Sequence, residues 1–145
     1  MNRFTVIAAS GIIGLGVMGC RNGEGSSTDT TAFGDVDNSI QLGRRLRQLG
    51  LGCSDVGPSP VGSLSPSAEC TIDGVRVVLN TWPDKAGRDE FLDGKPEDLC
   101  IVFAQLGEDQ AAIIAGDFWT VRPDSVEVAR RIASETGGHL LVVDC

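Results

Sequence analysis

The chain has 145 residues, of which 20 are acidic and 12 are basic, so its formal net charge is −8 at pH 7. This length is enough for one domain of ordinary size beyond a targeting segment. The acidic excess argues against nucleic acid as a partner and against electrostatic docking on anionic lipid.

The N-terminal segment has the pattern of an export signal. Arg3 supplies a positive charge, and residues 4–19 carry no charge and are mainly apolar. As a helix this run would span roughly 24 Å at ~1.5 Å per residue, which is short of the ~30 Å hydrocarbon core of a bilayer. We therefore predict a signal peptide over residues 1–19.

The predicted signal ends with Val17-Met18-Gly19-Cys20. This segment resembles the lipobox of bacterial lipoproteins, with an aliphatic residue three positions before the cysteine and a small residue directly before it. The resemblance implies cleavage before Cys20, a thioether-linked diacylglycerol on Cys20, and a location on the outer face of the cytoplasmic membrane. Two acyl chains on one residue hold a protein stably at a membrane. The alternatives are an ordinary secretory signal, with Cys20 a free thiol, and an uncleaved anchor.

Residues 20–37 are predicted to be the lipidated cysteine and a flexible tether. Residues 21–37 are nearly free of apolar side chains, and Phe33 and Val36 are the only candidates to pack against a core. Such a composition cannot offset the entropy of ordering the chain. The folded domain is accordingly predicted over residues 38–145.

The first half of this domain contains three local signals. Asp37 or Asn38 can cap a helix, and its apolar face is formed by leucines at helical spacing, Leu42, Leu46 and Leu49. Three arginines, Arg44, Arg45 and Arg47, lie toward the C-terminal half of this helix. We interpret them as a solvated face whose positive charge interacts favourably with the helix dipole; the alternative is a basic patch for an anionic partner.

After a Pro/Ser/Gly loop from Gly57 to Pro66, residues 70–79 are predicted to form a hairpin. Asp73-Gly74 supplies the two residues of positive φ that a type I′ turn needs. A second helix is predicted to start at Pro83 or Asp84 and to stop at Asp93-Gly94.

The second half loosely repeats this plan. Residues 100–104 are predicted to be a buried strand, and residues 111–115 and 118–121 are strand-like around Gly116-Asp117, which is either a tight turn or a bulge. Asp124 and Glu127 imitate a capping box for a third helix that Gly137-Gly138 ends, and residues 139–145 form a closing strand. The order α-ββ-α-ββ-α-β predicts an α+β fold. We expect a small, mostly antiparallel sheet of about five strands with two to three helices packed on one face.

Four cysteines remain besides Cys20, and an even number in an exported domain predicts two disulfides. Three connectivities are open, and we favour Cys53–Cys70 across the Pro-rich loop together with Cys100–Cys145 at the C-terminus. A zinc site is the alternative, but no two of these cysteines have C-x₂-C spacing. We predict neither a metal nor a cofactor.

Few residues suggest chemistry. The single histidine, His139, lies between the two glycines and the last strand, without the sequence context of a nucleophile. Trp82 and Trp119 are candidates to line a ligand groove, although we favour the alternative that they pack a helix onto the sheet. Three acidic residues, Glu108, Asp109 and Asp117, could serve as an acid/base pair or hold a cation. Because they do not have the spacing of an EF-hand, we favour the interpretation that they are solvated loop residues.

These observations favour a non-enzymatic lipoprotein whose ectodomain binds a ligand or protein, or acts structurally, in the cell envelope. The expected partners are the membrane, through the lipid anchor, and an envelope protein or small ligand. The alternative is a small envelope hydrolase that uses Glu108, Asp109 and Asp117. A cleft that joins His139 to two carboxylates would favour the enzyme.

Overall fold

The computed structural model describes residues 36–60, 67–94 and 96–145. The predicted signal peptide, Cys20, most of the predicted tether and part of the Pro/Ser/Gly loop lie outside the described residues. Val36, which falls within the predicted tether, is half-buried and packs against the core. Asp37 donates its backbone N–H to the Gln41 side chain at 2.5 Å, so contact with the domain extends to these two residues.

The described chain forms four helices and six strands. In order they are α1 Ser39–Gln48, β1 Ser54–Pro58, β2 Ser67–Ile72, β3 Val75–Thr81, α2 Lys85–Asp93, α3 Pro96–Gln105, β4 Gln110–Ala115, β5 Trp119–Pro123, α4 Val126–Thr136 and β6 His139–Asp144. None of the described helices is long and apolar enough to cross a bilayer.

All six strands belong to one sheet, in the order β1-β2-β3-β5-β4-β6, and every neighbouring pair is antiparallel. The predicted α+β class with an antiparallel sheet is therefore confirmed. The hairpin is confirmed as well, because Asp73 and Gly74 join β2 to β3 with φ values of 51° and 77°.

Two predicted elements were wrong. The segment 100–104 is not a strand but lies in α3, so the sequence order of elements is α-βββ-αα-ββ-α-β. A short apolar run is compatible with a buried helix as well as with a buried strand. The signal for a helix is the pair of acidic residues Glu97 and Asp98, because acidic side chains in the first turn interact favourably with the helix dipole. Gly57 and Pro58, predicted to be loop, end the additional strand β1, which is tolerated because β1 is an edge strand.

Most predicted helix ends are confirmed. Asn38 caps α1 by accepting from the Gln41 N–H, and Asp84 caps α2 by accepting from the Gly87 N–H. Gly137 ends α4 with a φ of 71°, a conformation that favours glycine. The cap of α4 is Ser125 rather than Asp124, and it accepts from the Val128 N–H.

Helices cover both faces of the sheet, not one. Gly43 of α1 lies directly against Leu79, whose cross-strand neighbours continue through Val121 to Ile114, and Ile114 packs beside the C-terminal end of α4. The adjacent side chains of β4, Ala111 and Ile113, point to the opposite face and are also buried. Because α3 and α4 are the two described helices that pack extensively on β4, they must cover opposite faces.

Both predicted disulfides are present. Cys53–Cys70 joins the residue before β1 to β2, and Cys100–Cys145 joins α3 to the residue after β6, with Cα–Cα separations of 5.5 and 5.3 Å. Gly116-Asp117 belongs to a tight turn rather than a bulge, since the Gly116 N–H donates to the Trp119 carbonyl at 2.9 Å across residues 117–118.

We predict that Val77→Asp prevents cooperative folding, because Val77 is fully buried in β3 and the new carboxylate would have no partner there. The expected cost is ~4 kcal/mol or more. The measurement is a thermal melt of oxidised protein followed by circular dichroism.

The matched control is Val78→Asp, one residue along the same strand. Val78 is half-buried on the other face and pairs with Arg122, so this variant should melt cooperatively. A cooperative melt of Val77→Asp close to that of the wild type would contradict the assignment of this face to the core.

Candidate functional site

An open cleft of about 550 Å³ lies at the end of the sheet where β4 turns into β5. Its walls come from α2, from the β4–β5 turn, and from the segment that joins α4 to β6. Apolar and charged side chains line it together: Arg88, Asp89, Leu92, Asp93, Ala115, Gly116, Asp117, Trp119, Thr136, Gly137, Gly138, His139 and Leu141.

Trp119 forms part of the cleft wall but is almost completely buried, at 5% exposure. Its indole ring lies against the backbone of two glycines. A Cβ on Gly116 would come within 2.0 Å of the Trp119 ring, and one on Gly138 would come within 2.8 Å of it. Both positions therefore need glycine for reasons of space, and Trp119 is held in a fixed position between them.

Arg88 connects α2 to the β4–β5 turn. Its guanidinium donates to the carbonyl of Gly116 and, at 3.1 Å, to the carbonyl of Asp117. The same group donates to the carboxylate of Asp89 at 2.6 and 2.9 Å. Only 16% of the Arg88 side chain is exposed, and these contacts use its hydrogen-bond donors within the protein. Arg88 therefore has a structural role, namely to hold α2 against the turn.

A second ion pair joins the start of α2 to the β4–β5 turn. Lys85 lies 3.2 Å from the carboxylate of Asp117, and its ammonium is 6.0 Å from the centre of the Phe118 ring. Both partners of the pair are more than half exposed, so solvent screens their attraction. Asp89 and Asp117 are thus already paired within the protein.

Some of the residues singled out from the sequence come together here. His139, Asp117 and Trp119 all line the cleft. Glu108 and Asp109 do not, because they precede β4 whereas Asp117 follows it. The six residues of β4 span roughly 20 Å at ~3.3 Å per residue, so the three acidic residues do not form one site.

Trp82 is placed elsewhere, on the face of the sheet that α2 covers. Its ring lies 4.7 Å from that of Phe91 in α2, and its indole N–H donates to the Thr120 hydroxyl at 3.3 Å. These contacts pack α2 onto the sheet, which is the alternative that the sequence left open for this tryptophan.

Sequence reasoning missed the contribution of α2 to the cleft, namely Arg88, Asp89, Leu92 and Asp93. The local pattern predicts Leu92 on the inner face of α2, but nothing in it distinguishes Arg88, Asp89 and Asp93 from an ordinary solvated face. Their role depends on long-range contact with the β4–β5 turn, which only the tertiary fold reveals.

The lining offers little for covalent catalysis. Among the lining residues the one hydroxyl belongs to Thr136, which is 2% exposed and accepts from the Gly138 N–H at 3.1 Å. In the described parts of the chain, no group of three or more His, Cys, Asp or Glu side chains could hold a metal ion. The arrangement suits binding in an apolar cleft with a charged rim.

A separate polar cluster lies across β2, β3 and β5. Arg76 donates through its guanidinium to the Glu69 carboxylate, with a 3.0 Å bond from Nε, and Ser59 donates to the same oxygen at 2.8 Å. Asp124 lies 3.9 Å from Arg76 and 3.8 Å from Arg122. Within the described residues, Arg122 Nε and Asp124 Oδ1 are buried and have no hydrogen-bond partner.

This cluster shifts the acidity of its members. The hydrogen bond from Arg76 lowers the pKa of Glu69, and the same bond raises the pKa of Arg76. Burial lowers the pKa of Arg122, which nevertheless remains a cation at physiological pH. The cluster joins three strands electrostatically, outside the cleft.

Comparison with known proteins finds no matching family model, no matching curated protein and no matching solved structure.

We predict that the contribution of Glu69 to stability disappears in acid. Because its pKa is lowered in the folded protein, its contribution is complete above the unfolded-state pKa of about 4.3 and is lost as the pH falls through the lower folded-state value. Wild type should therefore exceed Glu69→Gln in unfolding free energy at neutral pH, with a difference that shrinks below about pH 4.

Urea denaturation across this pH range measures the difference. Glu90→Gln, at an exposed position of α2 outside its first turn, controls for the removal of one carboxylate. A difference between wild type and Glu69→Gln that stays constant down to the lowest pH would show that the Arg76–Glu69 contact does not stabilise the fold.

Proposed function

We propose that the chain is an exported lipoprotein, attached through acylated Cys20 to the outer face of the cytoplasmic membrane. Its disulfide-bonded domain binds a small ligand or a protein segment in the cleft between α2 and the β4–β5 turn, without converting it chemically. The sequence after the lipobox-like segment provides the spacer between membrane and domain.

The observation that carries the export half of this proposal is the pairing of the domain cysteines. All four cysteines of the described domain form disulfides. One bond attaches the start of edge strand β1 to β2, and the other attaches the end of edge strand β6 to α3. Stable structural disulfides are typical of proteins outside the reducing cytosol. An apolar N-terminal run that ends in Val17-Met18-Gly19-Cys20 supports the same location.

The cleft supports binding over catalysis. Its apolar wall is preformed, because Trp119 is fixed between Gly116 and Gly138. Its charged rim includes Asp93 and His139, which are exposed and can orient a polar group of a ligand. A preformed apolar surface with a few polar groups is the usual composition of a small-molecule site.

Hydrolysis is the weaker alternative. His139 does share the cleft with three carboxylates, those of Asp89, Asp93 and Asp117, but Asp89 and Asp117 are already ion-paired with Arg88 and Lys85. The buried Thr136 is the one hydroxyl in the lining, so the cleft presents no accessible side-chain hydroxyl that a histidine could activate as a nucleophile.

Anchoring is tested by Cys20→Ser. Because the substitution removes the thiol that would carry the diacylglycerol, the protein should leave the membrane fraction and lose incorporation of radiolabelled fatty acid. Gly19→Ala is the control, since it keeps a small residue before the cysteine and should remain acylated. A Cys20→Ser protein that stays at the membrane after cleavage at the same site would overturn the lipoprotein assignment.

Ligand binding is tested by filling the cleft. Ala115 lines it at 8% exposure, and Ala115→Met would occupy part of its volume. In native mass spectrometry of protein extracted gently from membranes, wild type should carry a bound molecule that Ala115→Met loses for the most part. Ala104→Met, on the exposed face of α3, should retain it. A bound molecule that persists in Ala115→Met, or none in the wild type, would contradict binding in the cleft.

A further inference from the structure

The two edges of the sheet differ in how open they are to another strand. At the edge formed by β1, the register shifts between Ser54 and Gly57, Asp55 has a φ of 54°, and the strand ends with Pro58. A bulge and a proline are devices that prevent an edge from pairing further.

The edge formed by β6 has none of these devices. All six of its residues pair with β4 in unbroken register, from His139 opposite Ala115 to Asp144 opposite Gln110. The strand contains no proline, glycine, lysine or arginine, and its four central residues are aliphatic. Val142 is 38% exposed, which makes it one of the most exposed large apolar residues of the described domain.

The hydrogen-bond pattern identifies the groups that face the open side. The Cys145 N–H donates to the Asp109 carbonyl at 2.8 Å, so the odd-numbered residues of β6 use their backbone groups on β4. Because these bonds alternate along an antiparallel strand, the N–H and C=O groups of Leu140, Val142 and Asp144 point away from the sheet.

We infer that β6 pairs with β6 of a second copy of this chain, antiparallel and across a two-fold axis that passes beside Val142. This register is the one in which all outward groups of the strand are used. Val142 then exchanges two hydrogen bonds with Val142 of the second copy, and Leu140 exchanges two with Asp144 of the second copy, on each side of the axis.

The side chains are compatible with this register. On one face Val142 lies beside Val142 of the second copy, and on the other face Leu141 lies beside Val143 of the second copy. Apolar cross-strand pairs of this kind stabilise a sheet. The two Asp144 residues would be four positions apart, or roughly 13 Å, which exceeds the screening length of about 8 Å at physiological ionic strength. Each Asp144 carboxylate also accepts from Gln110 of its own chain at 2.7 Å.

The symmetry of the pairing suits two copies on one membrane. A two-fold axis that continues a sheet through an antiparallel edge is perpendicular to that sheet, so corresponding faces lie on the same side. Helix α1 packs on the face that contains Leu79, and both copies of α1 would therefore lie on that side. The described part of each copy thus begins on that side, as a common anchoring surface requires. The pairing itself does not depend on acylation.

The proposal is tested on the full chain, exported, oxidised and held in detergent, by sedimentation equilibrium over a range of concentrations. Wild type should reach the mass of a dimer. Val142→Lys places two ammonium groups side by side at the axis and should weaken association about tenfold or more. Leu106→Lys, at the exposed position directly after α3, is the matched control and should associate as the wild type does.

Mixing variants tests the register. If residue 142 of one copy meets residue 142 of the other, Val142→Lys and Val142→Asp should associate with each other better than either does with itself. Hydrogen exchange of the wild type gives a measurement that no folding defect can affect. The amides of Leu140, Val142 and Asp144 should be protected at concentrations where the dimer forms and should exchange rapidly on dilution. A wild type that is monomeric at every concentration, or a Val142→Lys variant that associates unchanged, would overturn the proposal.

Discussion

Each edge strand of the sheet is held at one of its ends by a disulfide bond. Cys53–Cys70 fixes the start of β1, and Cys100–Cys145 fixes the end of β6. In the chain-entropy account, closing loops of 17 and 45 residues contributes about 3 and 4 kcal/mol. For a small domain with a net stability of about 5–15 kcal/mol, this is a large share. The fold is therefore suited to a compartment where disulfides persist.

The centre of the sheet is stabilised differently, by burial on both faces. Helices α1 and α4 cover one face, and α2 and α3 cover the other, so β4 and β5 are buried along most of their length. The cleft lies where this double cover ends. At this end Trp119 packs against the backbone of two glycines, and Arg88 holds α2 to the β4–β5 turn. The cleft therefore results from the way in which the helices on the two faces end beside this turn.

The features predicted correctly from the sequence were those with local causes. Asp73-Gly74 specified its turn by backbone geometry, and Asn38 and Asp84 specified helix starts by capping. The even number of domain cysteines predicted two disulfides, and the favoured one of the three possible pairings is present. The α3 helix was mistaken for a strand because residues 100–104 are apolar without a visible period. The contributions of Arg88 to the cleft and of β1 to the sheet depend on residues far apart in sequence, which no local pattern could reveal.

The claim on which the structure and the proposed location both depend is that the four domain cysteines are oxidised in the native protein. Protein isolated from cells, with free thiols alkylated in acid before lysis is complete, can be digested without reduction and mapped by mass spectrometry. We predict peptides that join Cys53 to Cys70 and Cys100 to Cys145, with no alkylation at these four positions. Alkylated cysteines at these positions in the folded protein, or crossed pairs, would contradict both the architecture of the sheet edges and the assignment of the domain to an oxidising compartment.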